Sequence, residues 1–312
     1  MLAARYHRPG PPEVLRLVQV PVPRLRPGQA LVRVEATSVN GTELQLRAGR
    51  LRIATALQPA IGVGVDVVGI VDAVGGGVTG LVVGQRVWGM LPASAVLLAT
   101  GTAADFVVLG EDRLGISPAG LSAPDAVAVL VGGSAAVTAL FVHGRLRAGQ
   151  RVLVRGAAGG VGYAAVQLAH ATGAHVTALA RASVRDAVRD LGADEVLDYR
   201  EARPSDLGRF DVVLDTAGGP HLGEFRSLVA PGGRMMTVYP NTVSAFVAVL
   251  SRRVLFFSND PKRENLDVLS AYVGRGDLRP VIASTHPLSQ IAEAHRAMEA
   301  GGRVGKHVVV VG

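Results

Sequence analysis

"VLVRGAAGGVGYAAVQLAHATGAHVTALARAS", Val152–Ser183, decides how the rest of the chain is read. Val152, Leu153 and Val154 have the pattern of a buried strand. Gly156, Gly159, Gly160 and Gly162 then punctuate a turn, and a helix pattern follows with Ala165, Leu168 and Ala169 on one face. A second apolar run stops at Arg181. Backbone N–H groups at the start of such a helix form an anion site, and the glycines let a pyrophosphate approach that backbone. Gly156, Ala158, Gly159, Gly160, Val161 and Gly162 are therefore cofactor candidates. A lone glycine fingerprint is a weak signal, and the second strand at the right distance strengthens it. In an NAD site an acidic residue about 20 positions beyond the glycines bonds the ribose hydroxyls. Here Arg181 stands in that region, Ser183 and Arg185 follow, and the first carboxylate is Asp186. Arginine and a hydroxyl suit a ribose 2′-phosphate, so the expected cofactor is NADPH.

Working outward, the text on either side differs. Residues 1–117 read as short strands and turns, including "ALVRVEATSVN" and "GQRVWGML", punctuated by Pro and Gly. Residues 118–257 alternate strands and helices, with "RVLVR", "HVTALA", "EVLDY", "DVVLDTA", "RMMTV" and "VLFFS" as strands and helices at Tyr163–Thr172 and Ala182–Leu191. Residues 258–312 read as helix, strand, helix, strand and are expected to return to the first domain. At 312 residues the chain is long for one core. The fold class is α/β: a doubly wound parallel-sheet domain of Rossmann type beside a mainly β domain.

Composition excludes several functions. There is no cysteine, so disulfides, thiolate zinc sites and cysteine nucleophiles are absent together. The net charge of +7 comes from scattered arginines without basic runs or aromatic interleaving, which argues against nucleic acid as a partner. The apolar stretch Ala126–Phe141 is shorter than the roughly 20 residues of a membrane span and carries Gly132, Gly133 and Ser134 at its centre. It reads as a buried helix or helix pair, with no membrane partner. The N-terminus "MLAARYHRPG" lacks the apolar core of a signal peptide, and a cytoplasmic location is expected.

These segments together resemble the medium-chain dehydrogenase/reductase superfamily, in its zinc-independent quinone oxidoreductase branch. "GAAGGVGYAAVQLAHATGAHV" is similar to the branch's coenzyme motif, and "LGADEVLDYR", "FDVVLDTAGG" and "LVAPGGRMMTV" follow in the family's order. "GVDVVGIVDAVGGGVTGLVVGQRVWG", "GDLRPVI" and "PLSQIAEAHRAMEAGGRVGKHVVVV" extend the resemblance over nearly the whole chain. It implies a GroES-like catalytic domain and hydride transfer from NADPH to a quinone or an α,β-unsaturated carbonyl. It also leaves open an enoyl or ketoreductase of secondary metabolism with a diverged pocket, and a silent NADPH-binding sensor or scaffold.

The resemblance assigns residues as well. Zinc-dependent relatives carry a Cys-Gly-Thr-Asp-like and a Gly-His-Glu element. Here the cysteine position is Asn40 and the histidine position is Val65, and neither suits catalytic zinc. Asn40 is placed near the nicotinamide, where its amide could orient the substrate or bond a ribose hydroxyl, or simply cap a turn. Gln45 and Leu51 stand where tyrosines are common, and Ala135 and Val137 where a threonine and a tyrosine are common. No protein proton donor is then evident, and Gln45 is left as a catalytic candidate that could orient substrate without acting as an acid. Tyr199, Thr216, Tyr239, Phe256, Ser258 and Lys306 are further cofactor candidates, with Arg303 beside Lys306. Leu51, Trp88 and Asn241 are candidates for the substrate pocket, although a lone Trp is more often core. The eight histidines, His307 among them, read as surface or satisfied residues. The apolar edge "VLFFS" is expected to form a homodimer by continuing the sheet.

Overall fold

The computed structural model describes residues 1–50, 60–92, 94, 100–218, 222–238, 254–257 and 259–312. Leu51, Tyr239, Asn241 and Ser258 lie outside the described residues.

The near-continuous Val and Leu of β9 (Arg151–Arg155) fit a strand covered on both faces. It pairs in parallel with β10 (His175–Ala180) and β12 (Phe210–Asp215). With β11 (Glu195–Asp198), β13 (Val229–Thr237) and β14 (Val254–Phe256) they form a six-stranded sheet ordered β11-β10-β9-β12-β13-β14. The chain steps outward from β9 to β11 and then returns to β12 on the other side of β9. The crevice of a doubly wound sheet opens at such a reversal, beyond the strands' carboxyl ends.

The other large sheet draws on both ends of the chain. Its order is β15-β16-β3-β5-β6-β8, with β7 paired to β3. Here β3 is Gln29–Ser38, β5 Asp66–Val74, β6 Arg86–Met90, β7 Phe106–Gly110, β8 Leu114–Ile116, β15 Ile282–Pro287 and β16 Lys306–Val310. A small sheet joins β1 (Leu2–Tyr6), β2 (Arg16–Gln19) and β4 (Ile61–Gly62). Short α1 (Gly41–Arg47) leaves β3, and α7 (Ile291–Ala300) covers β15 and β16.

Between the sheets runs α2 (Ala123–Val137), continued by a π-helical turn over Thr138–His143. Ser122 caps it by accepting from the Asp125 N–H at 3.2 Å, and Pro124 sits in the first turn, where no amide is needed. The stretch Ala123–His143 is long and apolar enough to cross a bilayer, yet two thirds of it is buried in the protein. It packs on α3 (Gly162–Ala171) and on β3, β5 and β16. Burial on both sides removes the one-faced character expected of α3: Gly162 through Ala169 are all buried. The other α-helices among the described residues are α4 (Arg185–Asp190), α5 (Leu222–Arg226) and α6 (Arg263–Gly274).

Trp88 corrects one expectation. It lies on β6 with no exposed surface, in a core with Val68, Ala126 and Val127. The lone tryptophan is interdomain core rather than a wall of the substrate pocket.

Candidate active site between the domains

A cavity of about 1170 Å³ opens between the domains over the carboxyl ends of β9, β10 and β12. Its floor is the glycine turn. Gly156 has φ +78, a left-handed conformation that favours glycine. A Cβ on Gly162 would stand 2.1 Å from the Gly156 carbonyl oxygen, so α3 must begin with glycine to reach the strand. Gly132 of α2 meets the loop from above: its Cβ would lie 1.9 Å from the Gly160 oxygen. Thr216 spends its hydroxyl on the Arg155 and Gly156 carbonyls at 2.8 and 3.1 Å, bracing the turn from β12. The Gly305 N–H donates to Ala158 O at 3.0 Å and ties the loop to β16. The turn presents mostly backbone to the cleft, with only the small side chains of Ala158 and Val161 from the turn and Lys306 beside Gly160, which suits the approach of a pyrophosphate.

At one end of the cleft the Arg181 guanidinium stands beside Tyr199, its Nε donating to the phenol oxygen at 3.4 Å. Gly301 and Gly302 pass close by: a Cβ on them would lie 3.8 and 3.6 Å from the Arg181 head group. Asp198 accepts from the Ala182 and Arg200 amides at 2.9 Å each, locking the ends of β10 and β11 under this pair. A cationic fork and a phenol on a rigid base match a phosphate monoester. Loop and cleft together fit a dinucleotide, with a cation at one end.

The opposite end holds a buried polar network. Lys306 donates from Nζ to Asn40 Oδ1 at 2.6 Å and to Val39 O at 2.9 Å. Asn40 Nδ2 donates to Ser38 O at 2.9 Å. Asp66 accepts from the Ser38 hydroxyl, from the Ser38 amide at 2.9 Å and from Thr37 Oγ1 at 3.2 Å. Glu43 accepts from the amides of Asn40 and Gly64. Burial pushes the Glu43 carboxyl up to about 7 and raises Asp66, while burial lowers the Lys306 ammonium against the pull of both carboxylates. Asn40 thus stands at the N-cap of α1, where Glu43 accepts from its backbone N–H, and its side-chain amide engages Lys306 and Ser38. Gly160 permits this, because a Cβ there would lie 2.6 Å from Lys306 Cδ.

Asn40, Ala135, Gly156, Ala158, Gly159, Gly160, Val161, Arg181, Tyr199, Thr216, Phe256 and Lys306 all line the cleft. Gly162 sits beneath it, as a packing residue. Ser183 is exposed on the turn after β10, where the cleft is bordered instead by Val184. Gln45 lies on the half-buried side of α1, outside the cleft, with its oxygen 3.4 Å from Arg50. Sequence reasoning missed Glu43, Asp66, Arg155 and His307. Glu43 and Asp66 end the "NGTE" and "GVD" elements, and nothing local in either element marks its carboxylate as buried near Lys306. Arg155 lines the cleft and bonds Asp215 and Gly218 O at 3.0 and 2.7 Å. Its place at the end of a buried strand was the available signal.

Residues 26–119 match the alcohol dehydrogenase GroES-like domain and residues 191–309 the zinc-binding dehydrogenase family. Quinone oxidoreductase of Mus musculus is 30% identical, over 100% of this chain and 98% of its own. The spectinabilin polyketide synthase system protein NorB of Streptomyces orinoci is 35% identical over 95% of this chain, which spans 14% of that protein. The quinone oxidoreductase of Coxiella burnetii superposes with a TM-score of 0.92 at 28% identity, covering 100% and 99% of the two chains. A mycobacterial structure complexed with NADPH gives 0.86 at 25% identity, over 99% and 100%.

Proposed function

This chain belongs to the medium-chain dehydrogenase/reductase superfamily, among relatives named quinone oxidoreductase, and on that footing we propose that it is an NADPH-dependent reductase of quinones or activated double bonds that works without zinc. The observation that carries the cofactor reading is the Arg181–Tyr199 pair at the end of a cleft floored by the glycine turn. The reading without zinc rests on Val65, which has no donor atom, and on Asn40, whose amide oxygen is already taken by Lys306.

When bound, the reduced nicotinamide supplies a hydride. The protein's part is to hold, orient and dry the site. The glycine turn receives the pyrophosphate and Arg181 the 2′-phosphate. Lys306 fixes the Asn40 amide in one orientation, so that it can align an acceptor oxygen. Met90, Leu91 and Phe257 give the cleft apolar walls suited to a hydrophobic acceptor. A relative within a polyketide synthase system supports an enoyl acceptor as the second reading. A homodimer through β14, the edge strand of its sheet, and a cytoplasmic location belong to the same proposal.

Calorimetric titration with NADPH and with NADH, followed by an acceptor screen, tests it. Preference for NADPH and its oxidation by a quinone or an enone is the expected result. Tight binding without oxidation by any acceptor would leave the silent-binder reading, and binding of neither nucleotide would overturn the cofactor assignment.

A further inference from the structure

Gln45, Ala135 and Val137 stand where the family resemblance places tyrosines and a threonine, and β15 and β16 bring a serine and two histidines together, with His307 on the cleft. β15 and β16 are parallel, with Ser284 registered beside His307. His307 lines the cleft and is 6% exposed. Its backbone oxygen accepts from the Val39 amide at 2.9 Å, just beyond the end of β3 and one residue before Asn40. On the ring, Nδ1 lies 2.7 Å from Ser284 Oγ. The same hydroxyl lies 2.8 Å from Nε2 of His286, a half-buried residue with access to solvent. A hydroxyl has one proton and two acceptor sites, so it can donate to one imidazole while accepting from the other.

We infer that His286, Ser284 and His307 form a proton relay from solvent to the cleft, with His307 as the proton donor to the acceptor as it receives a hydride. The inference rests on the reductase reading above. The two contacts fit either direction, and a proton reaches the cleft through them in only one. If Ser284 donates to His307 Nδ1, that nitrogen carries no proton and His307 is the Nε2–H tautomer. In the step, the acceptor gains a hydride from the reduced dinucleotide and becomes an enolate or hydroquinone anion. The His307 Nε2–H bond breaks and a new O–H or C–H bond forms on that anion. Nδ1 takes the Ser284 hydroxyl proton, Ser284 takes the His286 Nε2 proton, and water reprotonates His286. His307 never needs to be cationic, which agrees with its surroundings. Burial and the neighbouring Lys306, His286 and Arg303 charges push its basicity down to about 4.

The test uses the full chain and the variants His307→Gln, Ser284→Ala and His286→Gln. In the protein without nucleotide, ¹⁵N spectra of the labelled histidines should show His307 unprotonated at Nδ1 and protonated at Nε2 at neutral pH. Ser284→Ala should shift the Nδ1 resonance. With NADPH and 2-cyclohexenone or 1,4-benzoquinone, His307→Gln should lower kcat by about 10²-fold or more, in the range of general acid catalysis. KM and NADPH affinity should stay within about twofold. The wild-type proton inventory in mixed H₂O and D₂O should be bowed and become linear in Ser284→Ala, a change that a structural role would not produce. A protonated Nδ1, or a linear wild-type inventory with kcat retained in both Ser284→Ala and His307→Gln, overturns the relay alone. Wild-type protein that binds NADPH but passes its hydride to neither acceptor overturns the reductase reading and the relay with it.

Discussion

Arg181 ends a strand and is exposed, so its replacement should leave the fold intact and isolate its contact with ligand. Arg181→Glu removes a charge-assisted donor and sets a carboxylate against the 2′-phosphate. Such hydrogen bonds contribute about 1.5–3 kcal/mol, so NADPH affinity should fall by at least roughly tenfold while NADH affinity changes little. Calorimetry with both nucleotides checks this, and equal losses would sink the assignment. Glu43 is the opposite case, a buried acid whose effect is on stability. Its folded carboxyl holds a proton up to about 7, against 4.5 ordinarily. Between those values the folded state binds more protons than the unfolded one. The Glu43 contribution is therefore full below pH 4.5 and is lost as pH rises toward 7. Urea unfolding should show wild-type stability declining through that window by roughly 3 kcal/mol at most, with a smaller decline in Glu43→Gln. An unchanged slope would mean that Asp66 or another group dominates.

At the scale of elements, function depends on close approach. α2, α3, the glycine turn and the start of β16 meet at positions where a methyl group has no room. Gly132→Ala places a Cβ 1.9 Å from Gly160 O, and backbone cannot yield as a flexible side chain can. The loop must shift, at a cost of about 1–3 kcal/mol in stability and with the phosphate-facing amides out of line. Reduced thermal stability together with weakened binding of both NADPH and NADH is expected. A loss confined to one nucleotide would contradict this account. Lys306→Met acts through the neighbouring element: it removes the cation that Asp66 and Glu43 face and frees the Asn40 amide. Leaving a buried charge unpartnered costs about 3–5 kcal/mol. Denaturant unfolding measures that cost, and unaltered stability would show the carboxylates to be neutral.

For the whole molecule, the cleft is the seam along which the two sheets meet. The cleft is lined by β9, β10 and α2 on one side and by α1 and β16 on the other, so a nucleotide held there would face both. Folded-state binding should therefore stabilise both domains together. The expected gain is about 2.7 kcal/mol at a ligand concentration 100 times Kd. Thermal unfolding should remain one transition and move upward with NADPH. Two transitions, of which only one moves, would show the domains to be energetically separate.

The sequence by itself determined the architecture and marked the glycine turn and Arg181, which the structure brings to one cleft. Both are written in local terms: a period of two or 3.6 in apolar residues, glycines at fixed spacing after a strand, and Arg181 where the next strand stops. Such signals survive without knowledge of distant partners. Tertiary structure alone decided the contacts at the other end. Lys306 reaches Asn40 across 266 positions, and Ser284 reaches His307 across 23, only because β16 inserts beside β3 and β15 lies parallel to it. Trp88 and Gln45 were misplaced for the same reason, since their side chains' surroundings are set by α2 and by the orientation of α1. Whether a histidine is a surface group or a proton donor depends on what a sheet places next to it. That proximity is a property of strand register between the two ends of the chain, and no stretch of either end contains it.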